Sequence, residues 1–174
     1  MPIYTYPDPL QLVRPASKSI TVTKTRPADT VTYTAGDVVN ESTSAGTVWT
    51  FASCARTVGA GGIVQAADLI ISTAQTLKFD GVLWLFDTAP TTVNDNVAWA
   101  PTDAEMKTFI AALSFSNAGW KTGSGNGQIE LKGLSDSFQC GAATTSLFGV
   151  LVANNAYVPT SAEDITIRLR IVQD

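Results

Sequence analysis

The chain has 174 residues, 45% of them hydrophobic and only 15% charged, with a formal net charge of −4 and no histidine. That length suits one domain with a single sizeable core, and a charged share well under the usual figure of about 25% speaks against disorder. An acidic body lacks the basic field on which nucleic-acid binding depends, so no nucleic-acid partner is expected. Without histidine, the commonest general base and zinc ligand and the Ser-His and Cys-His nucleophile pairs are all missing.

The first residues, "MPIYTYPDPLQLVR", have neither the basic lead nor the apolar core of a secretory signal. They read as an N-terminal arm, residues 1–20, ahead of one domain over residues 21–174. Residues 1–26 hold Arg14, Lys18, Lys24 and Arg26 against Asp8 alone, while the remainder carries seven basic and fourteen acidic residues. A basic arm on an acidic body can dock on an acidic neighbour, including a second copy of itself; an exposed terminus with scattered charges is the plainer alternative.

From there the signal is β. Thr-, Val- and Ile-rich runs separated by Gly, Pro, Asn and Asp predict strands at 19–25, 30–34, 47–53, 62–72, 77–86, 127–133, 146–153 and 164–172, the spacing of a sandwich or barrel. No run reaches the length of a membrane span, so no membrane partner is expected. Cys54 and Cys140 read as thiols, small residues of the core or of an interface, because nothing in the sequence sends the chain to an oxidising compartment. The run Val82–Phe86, like Leu147–Val152, is apolar without alternation. Both faces of those strands should be covered, one by a second sheet and the other by a loop, the arm or a partner.

Between residues 101 and 115, Thr102 followed by Glu105 forms a capping box. Met106, Phe109, Ile110 and Leu113 fall at helical spacing, but rising β-propensity favours a single helical turn and then a strand from Thr108 to Phe115. The stretches "GAGG" (59–62) and "TGSGNG" (122–127) read as loop tips. They lack the Lys and Ser/Thr of a phosphate-binding loop. The final strand is the clearest, since Ile165, Ile167, Leu169 and Ile171 alternate with Thr166, Arg168 and Arg170.

Three site chemistries are open to such a chain. Paired acids could hydrolyse a glycoside. Asp80 and Asp87 lie on opposite faces of one strand, whereas Asp87 with Asp95, or Glu163 with Asp164, could converge. Acids at strand ends are also ordinary turn formers, and no enzyme is expected. "NDN" (94–96) offers hard oxygens to calcium without the spacing of an EF-hand, so neither metal nor cofactor is assigned. Finally, Trp99 and Trp120 sit in loops and could meet a sugar or a neighbouring subunit, while Trp49 and Trp84 lie in apolar strands and read as core.

Three blocks, "TKTRPADTVTYTAGDVV" (23–39), "LWLFDTAPTTVNDN" (83–96) and "SLFGVLVANNAYVPTSAEDITIRLRI" (146–171), together resemble the head decoration, or cement, proteins of tailed bacteriophages. The resemblance implies a jelly-roll-like β-sandwich and no catalytic residues. It also implies a multicopy virion protein, made in the bacterial cytoplasm, that binds the capsid exterior and bridges capsomers. Its expected partners are the major capsid protein and itself, as a dimer or trimer. The candidate contact residues are Tyr4, Tyr6, Arg14, Lys18, Lys24, Arg26, Asp95, Trp99 and Trp120, in the arm and the start of the domain (Tyr4–Arg26), the loop Thr88–Pro101 and the segment Trp120–Gly127. A carbohydrate-binding β-sandwich of a phage tail or receptor-binding protein is the alternative.

Overall fold

The computed structural model describes residues 16–74 and 78–174. The strands are β1 (Ala16–Thr25), β2 (Trp49–Phe51), β3 (Gly61–Ile71), β4 (Gly81–Phe86), β5 (Phe109–Phe115), β6 (Lys121–Thr122), β7 (Gly127–Gln139), β8 (Leu147–Ala153) and β9 (Asp164–Gln173). One helical turn, α1 (Asp103–Met106), precedes β5, and a 3-10 turn, Asn117–Gly119, follows it. Two antiparallel sheets result, one ordered β1-β9-β3-β7-β6 and the other β2-β8-β4-β5.

The pairing shows how they arise. β1 pairs with β9, β2 with β8, β3 with β7 and β4 with β5. A long two-stranded ribbon, closed at its tip by the β4–β5 connection, has therefore been rolled so that successive segments fall in alternate sheets. That is a jelly roll, and the all-β sandwich expected from the sequence is the fold observed. No helix among the described residues is long and apolar enough to cross a membrane.

Alternation sorts the faces. Ile165, Ile167, Leu169 and Ile171 of β9 are buried against Leu83, Leu85, Leu113 and Leu151 of the facing sheet, as the period of two requires. In β3 a register shift between Val64 and Ala66 changes the parity. Val64 faces in before it, and Ala67, Leu69 and Ile71 face in after it. Asp68 is thereby turned to the outer face, where the neighbouring β9 presents Arg168 and Arg170.

Several boundaries differ from expectation, each for a local reason. β1 begins at Ala16, so residues 16–20, assigned to the arm, pair with β9 residues 169–173. Residues 30–34 form no strand; Tyr33 makes one bridge, to Tyr157, and its neighbours are exposed. β2 is cut to three residues because segment 37–39 occupies the rest of that edge of β8, with Val39 N–H donating to Leu151 O and Ala153 N–H to Asp37 O. β7 runs past its predicted end because Gly133, at φ 68°, makes a bulge where a turn was expected. The helical turn, its capping box and the strand after it are present as read.

β4 is covered on both faces. Its inner side meets the β9 sheet, and outside it a second apolar cluster joins Val38, Phe86, Val150 and Val152 to Trp84, Val93, Trp99 and Phe109. The cover is the chain's own loop, tied down by Val38 N–H to Val97 O, Asn96 N–H to Val38 O and Trp99 N–H to Gly36 O. Cys54 and Cys140 are both buried free thiols, and burial pushes the Cys54 thiol up to about 12.

Ile167 is fully buried at the centre of the first sheet's inner face. Ile167→Ala should cost about 2–5 kcal/mol, read as a lower urea midpoint at unchanged slope; a loss under 1 kcal/mol, on the order of a surface substitution, would place the core elsewhere.

Candidate functional site

The inward parity of β1 continues beyond its hydrophobic residues. Ile20 is followed on the same face by Val22 and Lys24, and two residues on, Arg26 keeps that direction. Both cations are thereby carried inward, to 9% and 3% exposure. A buried charge needs a partner and hydrogen bonds to offset the lost hydration; the loop after β4 supplies them to Arg26, and the segment between β1 and β2 supplies them to Lys24.

Asp95 is 3% exposed. Its carboxylate accepts from Arg26 Nη2 at 3.1 Å, from the Tyr33 hydroxyl at 2.6 Å and from the Asn40 backbone N–H at 2.8 Å. Arg26 Nε donates to the Tyr33 hydroxyl, and the guanidinium lies 4.7 Å from that ring's centroid. Tyr33 stacks at 6.1 Å on Tyr157, whose hydroxyl donates to Glu163 Oε1 at 2.6 Å. Burial, followed by the neighbouring carboxylates, drives both phenols well above the ordinary tyrosine value, so both stay protonated donors.

Asn40 links this hub to a second one. Its Oδ1 accepts from Lys24 Nζ at 2.6 Å, and its Nδ2 donates to Val93 O at 2.7 Å. Lys24 Nζ also meets Glu41 Oε2 at 2.5 Å, the Thr47 carbonyl and the Thr47 hydroxyl, and sits 5.3 Å from the Trp49 ring centroid. Burial pulls the Lys24 ammonium below the ordinary lysine value, and the bond and charge of Glu41 oppose that pull.

This geometry revises most of the candidate contact residues. Lys24, Arg26 and Asp95 face the interior and bind one another's neighbourhoods, so they offer no contact surface. Lys18 Nζ donates to Ser53 O of its own chain. The three described cations of the supposed basic arm are thus engaged internally; Tyr4, Tyr6 and Arg14 lie outside the described residues. Trp99 is partly buried in a T-shaped contact with Phe86, ring centroids 6.2 Å apart, and Trp120 donates Nε1–H to Phe79 O at 2.6 Å. Neither forms an open stacking platform.

The acids separate in the same way. Asp87 accepts from the Thr88 hydroxyl, far in chemistry from the ion-paired Asp95, while Glu163 turns in to Tyr157 and Asp164 turns out to the Thr25 hydroxyl. Asn94 Oδ1 accepts from Gly46 N–H and Asp95 accepts from Arg26, Tyr33 and Asn40, so these side-chain oxygens of "NDN" are taken up by segments earlier in the chain. Outside the first sheet, Asp68, fully buried, accepts from Arg168 Nε at 2.8 Å, Arg170 Nη2 at 3.3 Å and Gln128 Nε2 at 3.3 Å.

Sequence reading missed Tyr33, Asn40, Tyr157 and Glu163 as members of one network. The parity of β1 was the available signal, because it places Lys24 with Ile20 and Val22. No protein-family model matches the chain, and no curated protein matches it.

The exposed part of the loop is anchored separately. Glu105 Oε1 accepts from Thr91 N–H and Oε2 from Thr102 N–H, both at 2.7 Å. These bonds, that of Thr102 foremost, hold the Glu105 carboxyl down at about 2. A depressed carboxyl stabilises the fold above its unfolded value and loses that contribution as pH falls through its folded one. Carboxyl NMR should therefore show Glu105 titrating near 2, with the Thr91 amide losing protection from exchange over the same acid range; titration near 4.5 would mean the tether does not form in solution.

Asp95→Ala would leave the Arg26 guanidinium buried without its carboxylate. The expected loss is about 3–5 kcal/mol by chemical denaturation, whereas an exposed pair would lose under about 1 kcal/mol.

Proposed function

We propose that the protein is a structural virion component that binds the outer surface of a tailed-phage capsid and stabilises it by bridging capsomers, acting as a homo-oligomer. One observation carries this reading. The three sequence blocks that resemble head decoration proteins are far apart in the chain, yet they meet in one place. Block 23–39 supplies Lys24, Arg26 and Tyr33, block 83–96 supplies Asp95, and block 146–171 supplies Tyr157 and Glu163. Residues shared for a common architecture are expected to concentrate where the architecture is held, and these do.

Among the described residues, the surfaces left for a partner are the outer parts of the loop around Thr88–Thr92 and Val97 and the polar segment 121–126. Several modest contacts of this kind, repeated over a symmetric shell, bind by avidity, and effective affinity can exceed that of one contact by about 100-fold or more. The carbohydrate-binding alternative relied on Trp99 and Trp120 as an aromatic platform, and their partly buried positions in the body weaken it.

Deleting residues 1–15 leaves every β1–β9 pair in place, because the cut falls just before the first of them. The truncated protein should melt as the full chain does and bind undecorated capsids more weakly in co-sedimentation. Undiminished binding would remove the arm from the account, and failure of the full chain to bind any capsid of its own phage would remove the proposed function.

A further inference from the structure

The surroundings of Lys24 are those of a reaction as much as of a salt bridge. Four oxygens crowd an ammonium that has three N–H bonds: Asn40 Oδ1 at 2.6 Å, Glu41 Oε2 at 2.5 Å, and the carbonyl and hydroxyl oxygens of Thr47. One of the four belongs to a carboxamide, and its carbon lies one bond beyond the contact. Thr47 holds the far oxygen of Glu41 through its N–H at 2.8 Å and its hydroxyl at 2.5 Å, which keeps Oε2 on Nζ. The Glu41 backbone N–H donates to Asn40 Oδ1 at 3.0 Å. The site thus holds a buried amine, an electrophilic carbonyl, a carboxylate able to relay protons and a fixed donor on the oxygen that would become negative.

We propose that Lys24 and Asn40 form an intramolecular isopeptide bond, with Glu41 as the proton relay. Glu41 takes the proton that leaves Nζ as a free amine. Nζ then bonds to Asn40 Cγ, and the negative charge on Oδ1 is met by the Glu41 N–H. The bonded Nζ still carries two hydrogens, so Glu41 passes its first proton to Nδ2 and takes the second from Nζ as the tetrahedral intermediate collapses. The Cγ–Nδ2 bond breaks, and Nδ2 departs as ammonia, which carries the second proton away from Glu41 as ammonium and leaves the carboxylate as it began. One amide replaces another, nothing is oxidised or reduced, and one ammonia is lost. Burial favours the first step, since it pulls Lys24 toward the free amine. Proximity helps as well, since an amine already in contact with the carboxamide needs no bimolecular encounter.

The bond has a mechanical consequence. β1 is an edge strand of the first sheet, and segment 40–41 leads toward β2, the facing edge of the second. A covalent link from Lys24 to Asn40 would staple the sandwich across that side. Such a staple suits a shell protein, but its chemistry does not depend on the proposed function.

Intact mass of the full-length protein, measured under denaturing conditions and again after prolonged incubation of the folded protein, tests the proposal. The expected result is a shortfall of about 17 Da, one ammonia, and a branched proteolytic peptide joining Lys24 to Asn40. Lys24→Arg and Glu41→Gln should each restore the full mass, with folding of the Glu41→Gln protein checked by its melting curve. A wild-type chain that keeps the full sequence mass after incubation overturns the proposal whatever the variants do. So does a shortfall that persists in Lys24→Arg, which would place the ammonia loss at another residue.

Discussion

Arg26 can occupy the interior only because Asp95 meets it there. The pair joins the end of β1 to a loop nearly seventy residues later in the chain, and Tyr33 and Asn40 complete the carboxylate's hydrogen bonding from a third segment. Once Asp95 is held, the residues on either side of it are held too. Val93 and Trp99 then lie over Phe86, Val150 and Val152, and the outer face of β4 is closed. The apolar cover of that sheet is therefore conditional on a polar contact. A buried ion pair of this kind contributes little net stability compared with a well-packed apolar substitute. Its value is that few other arrangements of these segments would satisfy both charges, so it selects one path for the loop.

The same logic operates on the opposite side of the molecule. The register shift in β3 turns Asp68 from the core to the outer face, and β9 brings Arg168 and Arg170 to it. Parity decides the outcome in both cases. On β1 an unbroken alternation carries two cations inward to meet acceptors, and on β3 a broken alternation carries an acid outward to meet cations. Charge thus fixes the loop over the second sheet and ties β3 to β9 within the first, while leucine and isoleucine fill the space between the sheets.

Much of the frame was legible in the sequence, and the reason is physical. β9 alternates cleanly because one face meets the facing sheet and the other meets water. The uninterrupted apolar run of β4 announced cover on both faces, and Thr102 with Glu105 announced the helical turn. What failed depended on partners distant in sequence. Residues 30–34 have strand composition, but the edge they would need is taken by segment 37–39 and β2. The cations of residues 18–26 looked available because charge counting ignores parity, and Trp99 looked exposed because a loop was assumed to stand away from the sheet it covers. Asp95 was singled out for its oxygens; that those oxygens face a guanidinium and a phenol could be learned only from the fold.

The inward cations also bear on how this protein can meet others. β1 is a ten-residue edge strand whose outward side chains are Ser17, Ser19, Thr21, Thr23 and Thr25, with neither proline nor charge among them. Such an edge would normally invite another strand. Charges that point inward from an edge strand are one of the devices that prevent this, since a strand added there would crowd or desolvate them further. Lys18 and Lys24 fill that role on β1, each tied back to its own chain at Ser53 or at Asn40, Glu41 and Thr47. A protein crowded in many copies on a shell has particular need of such protection, because sheet-to-sheet joining of neighbours would compete with the ordered contact. On the proposed function, binding therefore runs through loops and side chains, where complementarity can be specific, and the sheet edges stay closed to one another.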